Sequence, residues 1–410
     1  MIELLLIIWI ATIGADRIDF LGGTGDFILT PFLILSPLVL SFGFMHLMLK
    51  KSAPAVLVPR NTRQVIFLFT LLLILVLLSV VFGRDMRLGL KRFALLAIQV
   101  YGTLLGAIIL ANLKNPGRIL LLGAYCGIVL SLLMNLGQLL YWLPTSLSDQ
   151  IRNMSIIDFG PRLVGQFGPR LAGVSIDMNR GATLLMVYAF FVLKFSGRSP
   201  LRDAFFYLAL VMILATLSRS GIAGFIIMGL VMLVQDGRIR LSSIAKAAVV
   251  FGGLGILLLF VARCTVLGTY LKIGRLLAER LSFGESESGG MHLMLVERGL
   301  EIASSSVQNF FLGTGFGSSR LLLNDVFIDK YANFHSIYIS FLVETGILSL
   351  FVLLLLCCLP LVKSRNYMPM MLGLMVVNLF YQLSLEPIFW LSIVLLWTNI
   401  GFAGSKVRDT

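Results

Sequence analysis

The sequence predicts an all-α, polytopic membrane helical bundle of about twelve transmembrane helices, with a large outer loop that carries amphipathic helices. Three observations predict it. Hydrophobic residues make up 58% of the 410-residue chain and charged residues only 13%, against roughly 25% charged in soluble domains, and the mean hydropathy is +0.96. Apolar runs approaching the roughly 20 residues needed to cross hydrocarbon recur from the first residues to the last. They are continuously apolar and lack the alternation of a membrane barrel, so they read as helices.

In order, the runs are 2–15, 26–49, 64–83, 93–112, 118–143, 181–195, 203–217, 221–235, 243–262, 336–362, 367–383 and 387–403. The first has no basic residues before it and carries Glu3 at its start, so it reads as an uncleaved anchor rather than a signal peptide. With twelve spans, one set of connections (50–63, 114–118, 194–203, 236–246, 363–365) and the tail 406–409 hold 16 Lys and Arg against Asp203, Asp236 and Asp409. That bias puts this side and both termini in the cytoplasm. It also accounts for the net charge of +13 without nucleic acid. Arg84, Arg87, Lys91 and Arg92 fall on the outer side, against the trend. Cys126, Cys357 and Cys358 lie within apolar runs and Cys264 near the outer surface, so no outer disulfide pair is available within one chain.

The whole chain, 1–410, reads as one membrane domain with two long outer connections, 144–180 and 264–335. Connections of this length are usually functional or disordered, and these carry helical patterns. LGTYLKIGRLLAERLSF sets Leu271, Leu276, Leu277 and Leu281 roughly on one face, with Arg275 and Glu279 spaced i,i+4. A GESESGG hinge follows, then a second amphipathic stretch, MHLMLVERGLEIASS. Such helices suit the interfacial plane, where they either cover a lipid-facing cleft or only shield loop backbone.

Chemistry-bearing residues gather on the same side, in PRLAGVSIDMNRG (169–181), TLSRSG (216–221), the long loop, and YANFHSIYISFLVETG (331–346). Arg219 sits in a short turn between apolar runs, where a cation needs a partner or water. Its planar donor fork suits phosphate; the alternative is snorkelling to headgroups. His335 opens an apolar run and can move a proton near neutrality, or be satisfied by backbone. His46 and His292 read as structural, and Tyr331 and Tyr338 as interfacial anchors. The glycine clusters LGGTGDF and LGTGFGSS lack the context of a nucleotide-binding loop. No group has metal-ligand spacing; Asp16 and Asp19 with Asp26 come nearest to a cation site.

These features, in this order, resemble the O-antigen ligase and O-antigen polymerase superfamily of integral membrane glycosyltransferases. Gly173, Asp177, Asn179, Ser218, Arg219, Gly221, Gly313, Gly315, Gly317, His335, Tyr338, Glu344 and Gly346 carry the resemblance, which runs from about residue 165. It implies a GT-C-like membrane fold in a bacterial inner membrane with the active site facing the periplasm. The implied reaction is metal-independent and uses no cofactor: a glycan passes from an undecaprenyl diphosphate donor to an acceptor hydroxyl. His335 is then the catalytic base and Arg219 binds diphosphate. Asp177, Asn179, Ser218, Tyr338 and Glu344 support them. The family arginine after the hinge is replaced here by Met291; Arg298 is the expected substitute and Arg280 the reserve. Ser336 stands where asparagine often follows the histidine.

Within that resemblance the acceptor is either another lipid-linked repeat unit, the polymerase reading favoured here because such acceptors occur with and without lipopolysaccharide, or a lipid A core sugar, the ligase reading. Further partners are the bilayer and, for a polymerase, a chain-length regulator. A transporter or flippase for lipid-linked glycans is the rival from another class, but its ionisable residues belong near the midplane, and here they cluster outside.

Overall fold

A computed structural model describes residues 1–21, 28–49, 61–142, 157–160, 162–163, 169–235, 287–324, 333–362 and 364–402. These residues are mostly helical, in the order α1 Ile2–Ala11, α2 Pro31–Leu49, α3 Thr62–Val81, α4 Met86–Ala111, α5 Pro116–Trp142, α6 Met178–Phe195, α7 Pro200–Ala215 and α8 Arg219–Gln235. After them come α9 Glu287–Ser304, α10 Val307–Leu312, α11 Ser319–Leu322, α12 Ile337–Cys358, α13 Met368–Phe380 and α14 Pro387–Thr398. Among the described residues, strand pairing is limited to Arg162–Leu163 against Pro169–Arg170, antiparallel, and one bridge between Ile18 and Ile157.

Every apolar run of the sequence except 243–262, which lies outside the described residues, contains one of these helices. Among the described residues five spans are long and apolar enough to cross a membrane: Pro31–Leu49, Thr62–Val81, Met86–Ala111, Pro116–Tyr141 and Ile337–Val362. The boundaries move where local chemistry outweighs hydropathy. Helix α4 starts at Met86 rather than 93, because Asp85 caps it by accepting from the Leu88 N–H at 2.9 Å. The run 336–362 bends at Gly346 (φ 78°, ψ 172°) and closes in a 3-10 turn, Leu359–Val362.

Helix α6 is the centre of the bundle. Every residue from Gly181 to Val192 is buried, and a helix buried on all sides has no solvent-facing stripe to carry charge. Neighbours approach it through small residues: a Cβ at Gly127 of α5 would overlap the Tyr188 ring. The Tyr188 hydroxyl donates to the carbonyls of Ile10 and Ala11 at 2.7 and 3.0 Å, tying α6 to the end of α1. Helix α14 is also buried along its length. Helices α8 and α13 touch backbone to backbone, since a Cβ on Gly224 or Gly373 would lie 2.7 Å from the other's carbonyl oxygen. Close approach through glycine is how helices associate where dispersion rather than hydrophobicity drives them together.

Polar contacts separate the two ends of the bundle. At one end, Asn61 donates to the Trp397 carbonyl (3.1 Å), Tyr125 to Ser196 (3.1 Å) and Gln235 to the Arg365 carbonyl (2.8 Å). These join the start of α3 to the end of α14, α5 to the end of α6, and the end of α8 to the start of α13. The opposite end gathers the residues after α1, the start of α6, the α7–α8 turn and the starts of α12 and α14.

The second amphipathic stretch is α9. It lies on α12 and the residues before it, with Leu295 and Ala303 buried in a small cluster with Leu322, Leu323, Phe334 and Val343. Gly299 makes room there, since its Cβ would overlap Ile339. The first stretch, 267–283, lies outside the described residues.

The bend at Gly346 gives a testable contrast. An alanine Cβ there would overlap the Phe311 carbonyl in a backbone region costing L-residues roughly 1–2 kcal/mol, whereas Gly229 of α8 has nothing within 4 Å of its Cβ position. Gly346→Ala is expected to lower stability in detergent by about 2 kcal/mol or more. Gly229→Ala should be neutral, or stabilising by up to about 1 kcal/mol. Thermal unfolding of the two variants compares them directly.

Candidate functional site

The site is built around the first turn of α6. Asp177 precedes it in extended conformation and accepts from the N–H groups of Asn179 (2.7 Å) and Arg180 (3.3 Å). Asn179 Oδ1 accepts from the hydroxyls of Ser218 (2.6 Å) and Ser220 (3.2 Å). Four of the residues named from the sequence, Asp177, Asn179, Ser218 and Arg219, therefore share one network or adjoin it. The start of α8 is fixed in the same way, because Ser218 Oγ also accepts from the Gly221 N–H (3.1 Å).

The turn that presents Arg219 is held by Arg170. Its Nε donates to the Thr216 carbonyl (3.0 Å) and its Nη2 to that of Leu217 (3.1 Å). Leu217 has φ 53°, in the left-handed region that a branched side chain avoids. A planar guanidinium collecting two adjacent carbonyls is a means of holding that conformation.

His335 lies two residues before α12, also in the left-handed region (φ 52°). Its N–H donates to Asn333 Oδ1 at 2.8 Å. Its ring meets that of His292, from α9, edge to face, with centroids 5.2 Å apart and planes at 79°. Burial, with the neighbouring His292, lowers the His335 imidazole from 6.5 to about 4, and Asp177 opposes this by favouring the charged form. At neutral pH His335 is therefore an imidazole with a free lone pair. Burial and then the charge of Arg219 also push His292 below its ordinary value.

Arg180, next to Asn179, carries the strongest charge pairing. Its Nη1 lies 2.8 Å from Asp16 Oδ2 and its Nε 2.7 Å from Glu386 Oε1. The Nε–H itself points at the Tyr381 hydroxyl, at 2.9 Å. Glu386 Oε1 thus has charge contact without an aligned hydrogen bond. Burial drives the Glu386 carboxyl above the usual carboxylate range, and Arg180 offsets part of that.

Other residues named from the sequence make the following contacts. Glu344 is buried in α12 and accepts from the N–H of Gly317 (3.1 Å), the N–H of Ser319 (3.1 Å) and the Ser319 hydroxyl. The LGTGFGSS loop is thereby strapped to the Gly346 bend, with the Thr314 N–H donating to the Val343 carbonyl (2.8 Å) and that of Gly315 to the Glu344 carbonyl (3.0 Å). Tyr338 donates to the Met375 carbonyl (3.1 Å) and Ser336 to that of Asn378 (3.3 Å), both on α13. Arg298 is 3.4 Å from Glu301 with its side chain 45% exposed. It stands six residues after His292, about 240° round the helix. Arg280, Tyr331 and Asp26 lie outside the described residues, as does the side chain of Met291. Asp16 and Asp19 serve as acceptors: Asp16 takes the Ile176 N–H (2.6 Å) besides Arg180, and Asp19 Oδ1 takes those of Leu21 and Leu29, both at 3.0 Å.

Sequence reasoning read His292 as structural and did not name Arg180 or Glu386. His292 had a usable signal: with Leu295, Gly299 and Ala303 it repeats at three to four residues, the face that α9 turns to α12.

Fold and site define a helical membrane protein with a polar centre in which Asp177, Asn179 and Ser218 share one network beside Arg219, and His335 meets His292. Residues 204–354 match the family model described as O-antigen ligase. This segment is similar to that family and supports the O-antigen ligase and polymerase resemblance, and it holds Arg219, His292, His335 and Glu344. No curated protein matches the chain.

The strap makes a specific prediction. Glu344→Ala leaves two buried N–H groups without an acceptor, each costing about 1–3 kcal/mol. The variant should lose thermal stability and show faster hydrogen exchange at 313–319, while Glu301→Ala, on the exposed face of α9, should do neither.

Proposed function

We propose that the protein transfers a glycan from an undecaprenyl diphosphate donor to an acceptor sugar hydroxyl, on the periplasmic side of the inner membrane and without metal, as a polymerase extending lipid-linked repeat units. The observation that carries this reading is the neutral, half-buried His335 with Asp177 acting on it, one imidazole away from Arg219.

A sugar hydroxyl becomes a nucleophile as its proton leaves, and a neutral imidazole can receive that proton. The resulting imidazolium gains from the Asp177 carboxylate. On the other side of the anomeric carbon the C–O bond to the diphosphate breaks, and charge develops on phosphate oxygens that Arg219 suits. Helix α13, packed on both α8 and α12, keeps both groups in fixed register, which is where much of such an acceleration arises.

About twelve spans are proposed, with the five long apolar helices joined by shorter ones. Lys114, Arg118, Lys194, Arg198, Arg202 and Arg365 lie on connections at the end of the bundle away from the site. That supports a cytoplasmic assignment for their end and a periplasmic one for the site. The description of the matched family supports a second acceptor, the lipid A core of a ligase. In cells lacking the gene, single repeat units on the carrier would mark a missing polymerase, and unlinked polymer a missing ligase.

Purified protein given lipid-linked repeat units should lengthen them with no nucleotide sugar and in the presence of a chelator. His335→Ala is expected to lower the rate by about 100-fold or more, and retained activity would remove it as base. Arg219→Ala should raise the donor Kd; an unchanged value would exclude contact with diphosphate. The pH profile is a further check. Because His335 is held at about 4 rather than 6.5 in the free protein, kcat/KM should hold as pH falls through 6.5 and decline only towards 4. An acid limb centred on 6.5 would assign the titration to another group.

A further inference from the structure

We infer that the start of α4 and helix α11 form a binding surface for the headgroup phosphates of anionic phospholipids, built from Arg84, Arg87, Lys91, Arg92 and Arg320. The surface is separate from the transfer site, and the reading proposed for that site neither requires it nor falls with it.

Backbone contacts bring these cations together. A Cβ on Gly83 would lie 2.5 Å from the Gly315 Cα, and the Arg84 N–H donates to the Thr314 carbonyl at 3.1 Å. Along α4, Gly89 meets the Phe316 carbonyl and the stem of Arg92 lies against Gly317. Arg320 follows in α11, the next turn of the same loop. Glu344 holds that loop to α12, so the cations stand on a fixed frame. Arg84, Arg87, Lys91 and Arg320 are exposed, and Arg92 is half-buried.

Their charge is not answered within the described part of the chain. Among the described residues, none of the five side chains makes a hydrogen bond or ion pair. The carboxylate in the segment, Asp85, caps the Leu88 N–H, and Glu344 is committed to the loop. Like charges on a fixed frame repel one another, and an anion from outside the chain relieves that repulsion.

Depth identifies the anion. Helix α3 begins beside Asn61 at the end of the bundle away from the site, so its last turn and the start of α4 lie at the site's end. Residues 93–112 of α4 and its cap carry no charge and match the roughly 20 residues of one hydrocarbon crossing. The basic segment 84–92 therefore falls just outside the hydrocarbon, at headgroup level. Val81, Phe82, Met86 and Leu90 are exposed among the cations, and such a mixture suits the boundary between acyl chains and phosphates. Basic groups between membrane helices are a recognised seat for phosphate headgroups. The donor diphosphate is a phosphate at similar depth, but α4 packs on α2, α3 and α14, whereas Asp177 and Arg219 stand at the starts of α6 and α8.

The test uses the full-length protein in nanodiscs of phosphatidylcholine with or without phosphatidylglycerol, with retained lipids counted by native mass spectrometry. The parent should retain phosphatidylglycerol in preference by about tenfold. In Arg84→Gln/Arg87→Gln/Lys91→Gln/Arg320→Gln the preference should fall to within about twofold, while thermal unfolding in pure phosphatidylcholine stays at the parent's midpoint. Arg84→Lys/Arg87→Lys/Arg320→Lys keeps the charge and should hold the preference to within about threefold. Lys114→Gln/Arg118→Gln/Arg198→Gln, at the opposite end of the bundle, should leave it unchanged. In the parent, a photoreactive phosphatidylglycerol should label the peptides holding 84–92 and Arg320, a readout independent of how any variant folds.

An unchanged preference in the four-residue glutamine variant, an equal loss in the opposite-end variant, or labelling that avoids both peptides would overturn the inference. So would a parent without headgroup preference that binds farnesyl diphosphate or polyglutamate through the same side chains, which assigns the surface to the donor or to an acidic chain. Glycan transfer is read separately: its absence, with the headgroup preference intact, would reject the transfer reading and sustain this one.

Discussion

The first turn of α6 is the constraint on which the site depends. A helix start leaves N–H groups without intrahelical acceptors, and here Asp177 supplies the acceptor for those of Asn179 and Arg180. The side chains of the same turn then reach distant parts of the chain: Asn179 accepts from Ser218 and Ser220 of the α7–α8 turn, and Arg180 pairs with Asp16 and Glu386. One helix start therefore ties together α1, α6, α8 and α14. The functional groups are by-products of that convergence: Arg219 is one residue from Ser218, and Asp177 is the carboxylate nearest in effect to His335.

A second framework serves the other half of the site in the same manner. The glycine-rich loop before α11 carries N–H groups that need acceptors, and Glu344 supplies them from within α12. Gly313, Gly315 and Gly317 all have positive φ (75°, 110° and 87°), so the loop can turn its N–H groups inwards, which residues with a Cβ do only at a cost. The loop also meets the basic segment that runs against the charge trend. Gly83 packs on Gly315, and a Cβ at Gly317 would press on the aliphatic stem of Arg92. The basic residues at the start of α4 are thus held by backbone packing at a glycine contact, a feature that hydropathy alone does not contain.

Much of this was legible from the sequence, for identifiable reasons. Helix positions followed from apolar runs, because membrane helices must satisfy their backbone internally and cannot be interrupted cheaply. The segment 169–181, the SRSG turn and His335 were legible as polar residues at the ends of such runs. What could not be read is which of the polar groups faces the centre. Tyr338 and Glu344 sit close to His335 in sequence, yet bond to α13 and to the glycine loop. Arg298 was expected as the substitute for the arginine that Met291 replaces; the structure sets it 3.4 Å from Glu301, while His292 lies on the packed face with Leu295 and Gly299. Arg180 and Glu386 were missed because their pairing joins residues 206 positions apart, a separation to which no local pattern responds.

The electrostatic order across the site follows from the same architecture. Arg180 is flanked by Asp16 and Glu386, and Asp177 acts on both Arg180 and His335. Burial and then the charge of Arg219 lower His292. The charged groups at this end of the bundle are set by helix starts, Asp177 at α6, Arg219 at α8 and Glu386 at α14, so the same backbone requirement that ends each apolar run also decides where its polar chemistry stands.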